Sequence, residues 1–423
     1  MYMSYPALAE EQKKPLDYKI QKAVEAIGQA VAVCRHTPAL AFSGGKDSTV
    51  LWDLIRRYFP REEARLHIIF GNTGVEYPES LRFARELGAK WGEKRFHEVR
   101  PLPLERDGLK YEGQCEVLRR IAEQGRLHEI LKPDGKLKRT TILDELCPPE
   151  LWEAYARRNK IWRAGTPKNY FWCVDQYGWP LLGKSYSKLK AHRVNIDCFL
   201  NYSKSKSQKP ELAEYYDVLR EVKISQACCG FLKKEPSEKK QAELGVDVIF
   251  KGLMAAESRT RQTNFCSRGY LFESHRDHLP EGDSFWHCNP ISIWTDDDIW
   301  EYIRRFEVPY SPLYELRLYD GTRVKRNGCM ACGTDLIFRK NHLAMLRRTH
   351  PKAWDVFMRR GLADEIRKLQ RLKRNGQCSV FDYYETSSLM DTYPCAFDDI
   401  NDIVMDDFVA AEQEQAYDPD VDI

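Results

Sequence analysis

An α/β fold built on a doubly wound parallel sheet is predicted for this 423-residue chain, and three observations predict it. From about Pro38, short apolar runs alternate with segments of helical period. A glycine pair stands directly between the first run and the first helical segment. The alternation then lapses over about residues 101–222 and resumes near Val246. Strand–helix–strand succession implies parallel pairing and helices on both faces of one sheet.

Each element follows from its own pattern. Residues 1–36 read as an N-terminal helical segment. "PALAF" is a short apolar strand, and "STVLWDLIRRYF" repeats Val50, Leu51, Leu54, Ile55 and Phe59 at helical spacing. "RLHIIFGN" is a second strand. "PESLRFARELGAKWG" opens on Pro at a first helical position and carries Leu81, Phe83, Ala84 and Leu87 along one face. "KRFHEVR" is a third strand, and "VDVIFKGL" is the strand with which the pattern resumes. Residues 37–100 with 223–300 therefore form a nucleotide-binding-type α/β domain. Residues 101–222 form a helical insertion, a subdomain suited to substrate or nucleic acid. Residues 301–390 form a C-terminal region of helices and cysteines, and 391–423 an acidic tail expected to be disordered.

Composition narrows the class. Charged residues make up 30% and apolar ones 43%, as in an ordinary soluble protein. No run approaches the length of a membrane span, and "MYMSYPALAEEQKK" lacks the basic and apolar regions of a signal peptide. A cytoplasmic location without a membrane partner is the expectation, with most of the 13 cysteines reduced. The net charge of +3 conceals an asymmetry, because eleven of the 63 acidic residues and none of the 66 basic ones fall between Asp391 and Ile423. The remaining body is strongly basic, which suits a polyanionic partner.

The turn "FSGGKDS" raises the central question of what it holds. Two glycines between a strand and a helix let several backbone N–H groups face one anion at the positive end of the helix dipole. Lys46 adds charge and Ser48 a hydroxyl. Asp47 separates Lys46 from Ser48, so this is not the common P-loop. "SGGKDS" resembles the signature of the adenine-nucleotide α-hydrolase superfamily, the ATP pyrophosphatases, which implies a Rossmann-like sheet and cleavage between the α- and β-phosphates of ATP. By that resemblance Ser43, Gly44, Gly45 and Ser48 cradle phosphate, Lys46 neutralises developing charge and Asp47 holds Mg²⁺. "NTGVEYPES", "KGLMAAESRTR" and "NPISIWTDDDIWEYIRRFEVPYSPLY" further resemble blocks of the phosphoadenosine-phosphosulfate reductase family. The resemblance places Asn72 and Thr73 near an adenosine, and Glu257, Ser258, Arg259 and Arg261 on the phosphate side of the cleft.

"ACCGFLKKEP" and "GCMACG" supply Cys228, Cys229, Cys329 and Cys332. Four thiolates can complete an iron–sulfur or zinc site, and adjacent cysteines argue against a single zinc ion at about 2.3 Å from each. The arrangement resembles the 4Fe-4S motif of adenosine-phosphosulfate reductases and DndC-type phosphorothioation enzymes, which implies a 4Fe-4S cluster on this quartet. Cys266 and Cys288 lie between its halves and are candidates for a sulfur-carrying nucleophile.

An intact loop beside such a quartet points to an ATP-dependent thiolation enzyme that adenylates an acceptor, releases pyrophosphate and lets sulfur displace AMP. The resemblance implies a cysteine desulfurase as sulfur donor. Residues 160–193 carry seven Lys or Arg, one acidic residue and seven aromatics, which suits a nucleic-acid acceptor. Lys160, Arg163, Lys168, Trp172, Trp179, Lys184, Lys188 and Lys190 are its candidate contacts, the alternative being an aromatic core with a solvated basic face. A sulfonucleotide reductase is the alternative enzyme. Its Glu-Cys-Gly-Leu-His segment is missing, and Cys378 and Cys395 are its substitute nucleophiles. A non-catalytic nucleotide- and nucleic-acid-binding accessory is the third reading.

Overall fold

The computed structural model describes residues 2–111, 116–131, 161–180, 225, 227–317, 321, 323–324, 326–332 and 342–365. The chain divides into two compact units, Met1–Arg100 with Lys233–Cys329, and Pro101–Leu232 with Met330–Ile423.

The first unit begins with helices α1 (Tyr5–Gln12) and α2 (Leu16–Val33), followed by β1 (Thr37–Phe42), α3 (Lys46–Tyr58), α4 (Pro60–Arg65), β2 (His67–Gly71), α5 (Pro78–Trp91) and β3 (Phe96–Val99). After the second unit's first segment come α6 (Glu235–Glu243), β4 (Val246–Lys251), α7 (Arg259–Arg268), β5 (Leu271–Ser274), β6 (Phe285–Cys288) and α8 (Asp296–Phe306). The six strands form one sheet in the order β3-β2-β1-β4-β6-β5. Every pairing is parallel except β5 with β6. The doubly wound parallel architecture is thus present, with one antiparallel edge strand. Residues 271–274 and 285–288 were not legible as strands. Each is four residues long and lies outside the strand–helix alternation that marks the other strands, so it is pairing with the sheet that makes them extended.

Alternation within the strands fills both faces. Leu40, Phe42, Ile68, Phe70, Val248 and Phe250 join the larger core with α2, α3 and α5. Ala39, Ile69, Ile249 and Phe285 build a smaller cluster on the opposite face. A strand buried on both sides reads as a continuous apolar run, which is why β1, β2 and β4 were recognisable. Because β2 and β4 flank β1 on opposite sides, the chain reverses its winding between β1 and β4. Such a switch point leaves a crevice beyond the carboxyl ends of the strands.

Two buried carboxylates tie the helices together on the larger face. Lys19 of α2 donates to Asp298 of α8 at 2.6 Å, and Asp298 also closes a capping box with Thr295. Asp53 of α3 accepts from Arg56, Arg57 and the Tyr302 hydroxyl.

In the second unit Gly108–Leu109 pairs antiparallel with Ile161–Trp162. Leu109, Leu118, Ile121, Leu127, Ile130 and Ile161 form its small aliphatic core. No helix among the described residues is long and apolar enough to cross a membrane.

Candidate functional site

The 43–48 turn forms as its sequence requires. Gly44 adopts φ 68°, a left-handed conformation that costs glycine little. Gly45 takes the N-cap position of α3. The Ser48 hydroxyl donates to Gly45 O at 2.9 Å, and Gly45 N–H donates to the Ser43 hydroxyl at 3.2 Å. These serines therefore brace the turn as well as lining it. Gly252, directly after β4, lies so close that a Cβ there would stand 2.9 Å from the Asp47 carbonyl carbon.

Lys46 is 2% exposed and its ammonium reaches Asp47 at 2.7 Å and Asp296 at 2.8 Å. Burial alone would lower its pKa, but the charges of Asp47, Tyr314 and Asp296 more than offset this and raise it. Asp296 was not singled out from the sequence. It is one of three consecutive aspartates at the start of α8, and only the fold brings it to Lys46.

Across the turn, Arg261 and Arg326 both pair with Glu257. Burial and the neighbouring Arg326 lower Arg261 to a pKa of about 10, against the pull of Asp47. Arg259 points elsewhere, its guanidinium 5.1 Å from the Tyr5 ring centroid, so the structure does not bring it to the turn with Arg261. Ser258 caps α7 by accepting from Arg261 N–H. Asn72 donates to Glu98 and accepts from Gly74 N–H, and the Thr73 hydroxyl donates to Glu76 at 2.9 Å. Both side chains thus organise the β2–α5 connection.

The crevice at the switch point holds a cavity of about 280 Å³, bordered by Ser43, Gly71, Lys233, Lys251, Arg276 and Asn327 among others. Lys234, Glu76 and Glu238 also line it. Glu76 lies 3.6 Å from Lys233, and Glu238 pairs with Arg276 at 3.0 Å. After those pairings the lining retains an excess of positive charge in Lys234 and Lys251. Asn327 donates to Ser43 O at 2.7 Å, while its Oδ1 is buried without a partner among the described residues. A buried acceptor of this kind calls for a donor from a ligand or water. None of Lys233, Lys234, Lys251, Arg276 or Asn327 was selected as a site residue from the sequence, because their convergence depends on long-range pairing.

Cys329 directly follows the cavity-lining Asn327 and Gly328. Its thiol lies 3.5 Å from Thr73 Oγ1 and 3.9 Å from Glu76 Oε1. Cys329 belongs to the first unit, and Cys228, Cys229 and Cys332 to the second. Among the described residues, no group of three or more His, Cys, Asp or Glu side chains is placed to hold a metal ion. Cys266 and Cys288 are corrected to core thiols, at 2% and 0% exposure, and burial raises the pKa of both. That is the opposite of an activated nucleophile.

The candidate nucleic-acid contacts fare unevenly. Trp172 and Trp179 are buried at 8% and 4% exposure. Trp172 packs edge-on against Phe231 at 5.0 Å, and Trp179 against Tyr170 at 5.9 Å. Neither presents a face to a base, so their role is corrected to packing. Lys168 stands over the Phe231 ring. Arg163 lies in the turn after Ile161–Trp162. Lys160, Lys184, Lys188 and Lys190 lie outside the described residues, as do Cys378, Cys395 and the acidic tail.

The pattern of the phosphoadenosine phosphosulfate reductase domain family matches residues 37–134 and 164–334. The chain is similar to the phosphoadenosine 5'-phosphosulfate reductase of Xylella fastidiosa (strain M23), with 37% identity over 84 residues, which is 20% of this chain and 30% of that protein. It is 30% identical over 93 residues to the adenosine 5'-phosphosulfate reductase of Burkholderia cepacia, covering 22% of this chain and 32% of that one. The corresponding Staphylococcus epidermidis enzyme (strain RP62A) shows 28% identity over 142 residues, 32% of this chain and 50% of the relative. The chain thus spans half or less of the length of these relatives. Among solved structures, phosphoadenylyl-sulfate reductase from Candida auris in a phosphate complex aligns with a TM-score of 0.31 and 14% identity, over 75% of this chain and 93% of that one.

Proposed function

The chain belongs to the phosphoadenosine phosphosulfate reductase domain family, and on that premise we propose that it is a sulfonucleotide reductase acting on an adenosine phosphosulfate. The observation that carries this reading is the cation-lined cavity at the switch point, bordered by Ser43 of the glycine turn and followed in sequence by a cysteine. Excess positive charge suits a phosphosulfate, and the α3 N-terminus beside it favours further negative charge.

The chemistry asks a thiolate to attack the sulfur, breaking its bond to the phosphate oxygen. The nucleotide leaves as its phosphate anion and an S-sulfonated cysteine remains. A second thiol then displaces sulfite and closes a disulfide, so that sulfur gains the two electrons that the thiols lose. The protein's share is to hold the anion and stabilise the departing phosphate, for which Lys46 and Arg261 stand beside the turn. The attacking thiol is assigned to Cys378 or Cys395.

A second reading, ATP-dependent sulfur transfer to nucleic acid, is favoured by one feature: the glycine turn is complete, with Lys46 held between two carboxylates. A 4Fe-4S cluster on Cys228, Cys229, Cys329 and Cys332, Mg²⁺ on Asp47 and a cysteine desulfurase partner belong to that reading. Anaerobic calorimetry with Mg-ATP, adenosine phosphosulfate and its 3'-phosphorylated form, followed by a sulfite assay with a dithiol reductant, separates the two. Tighter binding of a sulfonucleotide with sulfite release, lost in Cys378→Ala or Cys395→Ala, supports the reductase. Preference for Mg-ATP with pyrophosphate release would replace it by the second reading.

A further inference from the structure

Lys251 is the last residue of β4 and borders the cavity. Its ammonium lies 2.9 Å from His287 Nδ1, and His287 Nε2 lies 2.9 Å from the Ser274 hydroxyl. Three side chains from three adjacent strands thus form a continuous hydrogen-bonded line, from the cavity to the half-buried Ser274 on the edge strand β5. His287 is clamped in place, stacked on Phe272 at 4.8 Å and met edge-on by Phe285 at 4.9 Å. A ring held this way cannot turn to seek other partners. A charged Lys251 only donates, so His287 then accepts at Nδ1 and donates from Nε2 to Ser274.

The surrounding charges are unequal. Arg276 and Lys234 face Lys251 as like charges, and Glu238 is the opposing one but is itself paired with Arg276. Burial, followed by Arg276, lowers Lys251 to a pKa of about 8. Burial and the positive charges of Lys251, Arg276 and Arg268 push His287 down to about 3, so the ring is neutral at any working pH. An imidazole that stays neutral can still pass a proton by accepting at one nitrogen as it releases from the other.

We propose that Lys251 is a proton-coupled receptor for the anionic group of the cavity's ligand, a phosphoryl or sulfuryl oxygen, with His287 and Ser274 as its proton path to solvent. The inference rests on the nucleotide reading above and adds to it the residue that makes binding depend on pH. In the empty cavity above about pH 8 the amine is neutral, with the His287 proton on Nδ1 and Nε2 accepting from Ser274. When the anion arrives, Nδ1 yields its proton to the amine, Ser274 yields its own to Nε2, and solvent reprotonates the serine. One proton is taken up and none is lost from the protein.

The test is calorimetry of the full chain with AMP, in pairs of buffers that differ in ionisation enthalpy. Expected net proton uptake rises from near zero per AMP at about pH 7, where the AMP phosphate releases a small fraction of a proton, to most of one proton at about pH 9, and affinity falls up to about tenfold per pH unit above about pH 8. Lys251→Arg should keep the affinity but lose the uptake, since a guanidinium stays charged. Lys251→Met should lose both. AMP binding with no uptake, or with uptake unchanged in Lys251→Arg, overturns this inference and leaves the nucleotide reading standing. Failure of both AMP and adenosine 3',5'-bisphosphate to bind at any pH overturns both.

Discussion

Lys46 shows how a motif residue acquires its setting. Its place after two glycines was readable, but its burial at 2% exposure and its second carboxylate, Asp296, come from a segment some 250 residues away. Replacing it with Met should leave the fold intact, because Asp47 and Asp296 retain side-chain exposures of 21% and 46%. Nucleotide affinity should nevertheless fall by roughly 10- to 10²-fold in calorimetry, as expected on losing one charged hydrogen-bond partner. Gly252 makes the complementary point. A methyl group there would meet backbone atoms of Asp47 and Ser48 at 2.9 to 3.0 Å, with no flexible side chain to yield. Gly252→Ala should cost about 1–3 kcal/mol in chemical denaturation and weaken nucleotide binding with it, whereas an exposed glycine substitution would spare binding.

The connections between elements are held by charges whose partners differ in burial. Lys19 joins α2 to α8 through Asp298 almost wholly out of water. Lys19→Met would leave the carboxylate without its cation and should destabilise the fold by about 3–5 kcal/mol, read from urea unfolding. Glu98 ties β3 to α5 at a more accessible place. Hydrogen bonds from Arg85, then from Asn72, hold its pKa down to about 2 despite partial burial. Its folded pKa lies below the unfolded value of 4.5, so its contribution is complete above that value and disappears as pH falls towards 2. The melting-temperature difference between wild type and Glu98→Gln should therefore close across that window, and an unchanged gap at pH 2 would refute the assignment. Asn72 is committed to the same network. That explains why a residue that family resemblance places near adenosine serves first to shape the loop beneath it.

For the molecule as a whole, the consequence is a crevice created by winding direction. The family pattern covers 37–134 and 164–334, so it includes every strand bordering the cavity. A nucleotide at about 100 times its Kd should stabilise the protein by about 2.7 kcal/mol. A melting temperature that rises with sulfonucleotide but not with Mg-ATP would agree with the reductase reading. The same experiment on Lys46→Met should show little shift.

The apolar runs 38–42, 67–70 and 246–250, with the glycine turn after the first, made the parallel sheet, its helices and the tight β1–α3 turn legible in the sequence. Local patterns suffice there, since burial on both faces demands apolar strands and a tight turn demands glycine. The short strands 271–274 and 285–288, the pairing of Lys46 with Asp296 and the meeting of Lys251, His287 and Ser274 were decided only by the fold. So was the burial of Trp172 and Trp179, which a mixture of aromatic and basic residues leaves open. In each case the deciding contact joins residues distant in sequence, and no local periodicity records which distant segments will become neighbours.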